Sequence, residues 1–257
     1  MGGDLFDILG PALTIAVTVA LVHAPLGIEV LRRGIVFIDL AIAQIAGLVI
    51  VLVNLVLHDP AWALVQAMAV AASVLAALFF RWIERTAARE QEAVIGASFI
   101  AAAALTLLAL ANHPHGGEEI QHVLSGQVLF VTWTDVLQTV PAFALILALW
   151  LRVPALRQGL AFYILFAITV TLSVQLVGVY VVFATLILPA LGAGGGAGRP
   201  LGLAWASAVL AIGLGLGGGY ALDLPIGPAL VVALTLSAVA FRLGRRLGVG
   251  ARTREGG

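Results

Sequence analysis

The stretch Arg32-Arg33-Gly34-Ile35-Val36-Phe37-Ile38-Asp39-Leu40-Ala41-Ile42-Ala43-Gln44-Ile45-Ala46-Gly47 decides how this chain folds. Two arginines mark a membrane edge, and an apolar run follows them. Asp39 lies inside that run. A carboxylate in hydrocarbon is costly, so it normally faces a protein interior or a water path. The stretch therefore reads as the start of a spanning helix whose aspartate looks into a translocation route. A second reading pairs Asp39 with Arg32 or Arg33, or makes it a cap at the helix start.

Composition extends this reading to the whole chain. Hydrophobic residues make up 62% of the 257 positions and charged residues 10%, and the mean hydropathy is +1.13. A soluble domain carries about a quarter charged residues. Net charge is zero, which gives no footprint for nucleic acid. All thirteen basic residues are arginine. Without lysine there is no phosphate-loop lysine and no Schiff-base nucleophile, so any ATP must be hydrolysed on another chain. Cysteine is absent as well, which leaves His, Asp, Glu, Asn, Gln and backbone oxygens as metal ligands. The first residues hold two acids and no base, unlike a secretory signal, so the first apolar segment is expected to be retained.

A span needs roughly 20 apolar residues. Candidate spans cover about 11–28, 35–57, 61–81, 93–111, 128–150, 201–220 and 226–243, with a long apolar run at 160–191. Arginines concentrate on the cytoplasmic side, which places Arg32/Arg33, Arg81/Arg85/Arg89, Arg152/Arg157, Arg199 and the C-terminal cluster inside. This works only if 160–191 crosses twice, as short helices about 160–174 and 177–191 broken near Gln175 and Gly178. The alternative is one long tilted helix. No linker or repeat divides the chain. The expectation is an all-α polytopic membrane protein, a single domain over 1–257, with about eight to nine crossing segments, some short or broken, and a cytoplasmic C-terminus.

Other residues bear on chemistry. His23 lies nine residues before Arg32, about 13 Å along a helix, and is either a metal ligand or a buried histidine bonded to a neighbouring helix. Pro25 and Gly27 are expected to kink or loosen the helix after it. Gln44 sits ~140° round the helix from Asp39, and an interhelical hydrogen bond explains it at least as well as a metal does. In His113-Pro114-His115-Gly116-Gly117-Glu118-Glu119-Ile120-Gln121-His122, three of the five histidines fall within ten residues. If helix begins near Gly117, Glu118 and His122 share a face, and with His113 and His115 they suit zinc or a similar ion. A solvated polar loop is the alternative. Asp223 reads as a helix N-cap region before Pro225. Glu84, Glu90 and Glu92 read as a solvated face among inner arginines. No catalytic constellation is visible, so the chain is not expected to be an enzyme.

Taken in order, these stretches resemble the permease subunit of metal-importing ABC transporters, the zinc/manganese/iron group (ABC-3). The resemblance rests on Arg32-Arg33 through Gly47, on Glu92-Ala93-Val94-Ile95-Gly96, and on Leu124-Ser125-Gly126-Gln127 with Asp135. It continues in Val177-Gly178 through Leu188-Pro189-Ala190 and in Asp223-Leu224-Pro225-Ile226-Gly227-Pro228. The family's histidine four residues after the aspartate is Ala43 here, so that implied role falls on Asp39. The family's longer cytoplasmic piece is reduced to Arg152–Gly159, and a Gly-rich stretch follows Pro189 where the family has a docking helix. The resemblance implies import of a divalent ion, zinc first and manganese or iron as alternatives, with no permanently bound cofactor. It implies a homodimer in the inner membrane, cytoplasmic ATPase partners meeting Pro189–Arg199, and an extracytoplasmic metal-binding protein. Two rival readings are a gradient-driven metal/proton transporter or channel, and a metal-responsive membrane scaffold.

Overall fold

The computed structural model describes residues 2–57, 60–111, 128–194 and 201–252. Eight long helices fill the described residues. They are α1 (Gly2–Arg33), α2 (Ile38–Val56), α3 (Trp62–Thr86), α4 (Gln91–Leu110), α5 (Trp133–Arg152), α6 (Gly159–Gly192), α7 (Leu201–Ala221) and α8 (Ile226–Arg252). Each contains a segment long and apolar enough to cross a membrane. A helix satisfies its own backbone polar groups, which is why it is the form such apolar segments take in lipid. The all-α polytopic architecture expected from composition is the one observed.

The chain forms two compact units. One comprises residues 1–34, 128–136 and 184–257, and the other 35–127 and 137–183. In the first unit α1 packs against α7, and α7 against α8. Gly27 of α1 meets the α6 backbone so closely that a Cβ there would lie 1.8 Å from the Leu186 carbonyl oxygen. Pro25 leaves the Leu21 carbonyl without its usual intrahelical donor, and the Trp205 indole N–H donates to it at 2.9 Å. The helix runs on through Pro25 to Arg33. Gly27, expected to loosen α1, instead lets it pack tightly. Ser207 and Ser237 join α7 to α8 with a 3.0 Å hydroxyl contact, and Ser237 Oγ also donates to the Ser207 carbonyl.

In the second unit α2 packs against both α3 and α4. Gln66 of α3 and Gln175 of α6 exchange two amide hydrogen bonds of 2.6 and 2.8 Å. Three residues beyond Gln175, Gly178 takes φ 79° and ψ 162° and interrupts α6. That backbone region is open essentially to glycine alone. The break expected inside 160–191 is therefore present, at the glycine named for it.

Two expected boundaries change. The span placed at 128–150 begins as a 3-10 turn, Val128–Phe130, and becomes helical only at Trp133. A reciprocal cap fixes this start: the Thr132 amide donates to Asp135 at 2.8 Å, and the Asp135 amide reaches Thr132 Oγ1 at 3.3 Å. Asp135 thus serves as the third helical residue of a capping box. Asp223 is not the start of α8 but the end of α7. It holds φ 51°, while the Leu224 amide donates to the Gly219 carbonyl and the Asp223 amide to that of Tyr220. This is a Schellman ending, where glycine is the favoured occupant. Asp223→Gly should therefore stabilise the protein by about 1 kcal/mol, read as a higher unfolding temperature in detergent. A lower one would contradict the assignment.

Candidate functional site

Phe37, the residue preceding the first turn of α2, makes no side-chain cap, so Asp39 enters the helix as its second residue. It is fully buried. Neither carboxylate oxygen has a hydrogen-bond partner among the described residues. The amides of Leu40 and of Asp39 itself act on the carboxylate without meeting hydrogen-bond geometry. The Nε atoms of Arg32 and Arg33 each donate to the Glu29 carboxylate at 2.8 Å. Buried polar atoms are nearly always bonded, so an orphaned pair on one carboxylate asks for a missing partner.

A second acid stands close by. Glu92 lies in the first turn of α4. Its Oε1 accepts the Phe37 amide at 3.3 Å, which ties the start of α4 to the start of α2. Its Oε2 is buried without a partner. The expectation of a solvated face does not hold for Glu92, although Glu90 beside it is exposed. Arg81 pairs with Glu84 instead. The neighbouring Gln91 turns inward, donating to the Tyr163 hydroxyl at 3.0 Å.

Gln44 is buried on α2, and its Oε1 also lacks a hydrogen-bond partner among the described residues. The same is true of Ser73 Oγ on α3. The second unit therefore carries a series of buried oxygens without donors.

His23 belongs to the first unit. It is fully buried, and its Nδ1 lies 2.8 Å from Thr185 Oγ1, an interhelical bond of the kind expected for a buried histidine. Pro189 lies within α6, whose C-terminal end is held by Arg242 Nη1 donating to the Leu191 carbonyl at 3.2 Å. His113, His115, Glu118, His122 and Arg199 lie outside the described residues. Among the described residues, no three of His, Cys, Asp or Glu gather into a group able to hold a metal ion. Glu92 is the residue that sequence reasoning missed. Its signal was the acid at the opening of an apolar helix, three residues before Ile95.

Comparison with known proteins places this architecture. The structure resembles that of PsaBC from Streptococcus pneumoniae in complex with Fab, with a TM-score of 0.70 over 94% of this chain and 95% of that one, at 21% identity. At that identity the likeness is one of fold. The comparison with curated proteins returned no match. The sequence matches the ABC 3 transport family over residues 5–155 and 151–243, nearly its whole length. With its membrane-length helices, this chain belongs to the ABC 3 transport family and is a multi-pass membrane permease.

Proposed function

We propose that this permease imports divalent metal ions, with zinc first and manganese or iron as alternatives, and that Asp39 is a transient ligand on the route. One observation carries the reading: a fully buried carboxylate whose two oxygens have no hydrogen-bond partner among the described residues. A passing cation supplies what the protein withholds. Ligands on such a route must be few, because a complete tetrahedral set would retain zinc.

The chain contains no lysine, so hydrolysis falls to cytoplasmic ATPase subunits, engaged through Pro189–Arg199. The His113, His115, Glu118 and His122 stretch receives ions from an extracytoplasmic metal-binding protein, and two copies of the chain form the working unit in the inner membrane. The C-terminus is cytoplasmic. In this topology the two parts of α6 on either side of Gly178 are separate crossings, which keeps Arg157 and Arg199 on one side.

The test is ATP hydrolysis by the permease reconstituted with its ATPase and metal-loaded binding protein. Several-fold stimulation by the loaded protein is expected, and a His113/His115/His122 triple alanine variant should lose it at limiting metal. Unstimulated hydrolysis, together with metal uptake driven by a proton gradient alone, would overturn the ATP-driven reading.

A further inference from the structure

We infer that Glu92 is a second carboxylate of the Asp39 site, so that a divalent cation pausing there is held by oxygens from both α2 and α4. The inference rests on reading Asp39 as a cation ligand and adds a donor to it. Three facts converge on it. Asp39 is wholly buried with both oxygens orphaned. Glu92 keeps one buried oxygen, Oε2, equally without a partner. Glu92 Oε1 accepts the amide of Phe37, two residues before Asp39, which brings the start of α4 to the start of α2.

Two carboxylates in a poorly hydrated place repel, and an arrangement that leaves three of their four oxygens without a bonded donor among the described residues gains from a positive charge between them. Within this unit Arg81 pairs with Glu84, and among the described residues neither Asp39 oxygen nor Glu92 Oε2 has a hydrogen-bond partner to supply that charge. Carboxylate oxygens are ligands that small divalent ions accept. Being on separate helices, the two donors also come apart when α2 and α4 shift, which a route needs and a storage site does not.

A structural role for Glu92 is separable from this one. Its Oε1 receives the Phe37 amide, and a glutamine carbonyl would accept that bond equally well. Glu92→Gln therefore keeps the tie between α4 and α2 and removes only the charge.

The experiment is equilibrium binding of radioactive Mn²⁺ and Zn²⁺ to the full chain in lipid nanodiscs. It compares Glu92→Gln, Asp39→Asn, the double variant, and Glu90→Gln as an exposed control. Glu92→Gln should weaken binding at least about tenfold. Glu90→Gln should leave it unchanged, and the double variant should bind no more tightly than Asp39→Asn alone. Native-like binding by Glu92→Gln, with Asp39→Asn impaired, would overturn the role of Glu92 and leave that of Asp39 standing. Native-like binding by Asp39→Asn, or no binding of either ion by the native chain, would overturn the reading of Asp39 and this inference with it.

Discussion

Gly27→Ala is expected to destabilise the protein by about 3 kcal/mol or more, and Gly27→Leu to keep it from accumulating in the membrane. Overpacking a filled interior costs about 1–3 kcal/mol when side chains can yield. Here they cannot, because the added carbon would fall 1.8 Å from the Leu186 carbonyl oxygen and 2.8 Å from its carbon. Backbone must move, and α1 must separate from α6. Small residues at helix crossings in membranes serve such approaches. Gly213 of α7 is the control, since nothing lies within 4 Å of a Cβ built there. Gly213→Ala should be neutral or stabilise by about 0.5–1 kcal/mol through helix propensity. Thermal unfolding in detergent, followed by tryptophan fluorescence, distinguishes the two. Equal melting of both variants would contradict the close crossing.

Asp39→Leu is expected to melt several degrees above the native protein. A carboxyl group buried without a hydrogen-bond partner costs stability, and apolar volume in its place removes that cost. Neither Asp39 oxygen has a partner in hydrogen-bond geometry among the described residues, so the gain should be readable as a higher melting temperature. A residue that weakens the fold where it stands is kept for something other than the fold. If Asp39→Leu melted below the native protein, the carboxylate would be a structural element, and the case for a route past it would weaken.

Several of these features could be read directly from the sequence, and the reasons are physical. Runs of about 20 apolar residues located the spans, because lipid leaves a chain few choices. Gly178 broke the long run where expected, since glycine alone adopts its backbone angles readily. Gln175, singled out beside it, pairs with Gln66 across helices. The misses share a different cause. Gly27 beside Pro25 looked like a weak point in α1, but its use depends on α6, some 160 positions away in the chain. The orphan carbonyl left by Pro25 is answered by Trp205, equally distant. Glu92 sits beside exposed Glu90 and near exposed Arg85 and Arg89, so its local context suggested solvent. Its bond to the Phe37 amide and the burial of its other oxygen come from the contact of α4 with the start of α2. Asp223 was placed on the wrong helix because Pro225 signals a start strongly, whereas a left-handed ending is set by backbone angles that the residue type only permits.

The most direct test of the central claim is metal uptake by proteoliposomes carrying the complete transporter, comparing native permease with Asp39→Asn. Asparagine preserves the shape and removes the charge. Asp39→Asn should assemble, melt no lower than the native protein, and carry less than about a hundredth of the native flux, a difference of roughly 2.7 kcal/mol in the barrier. Native flux through Asp39→Asn would contradict it, and the buried carboxylate would then have no part in moving the ion.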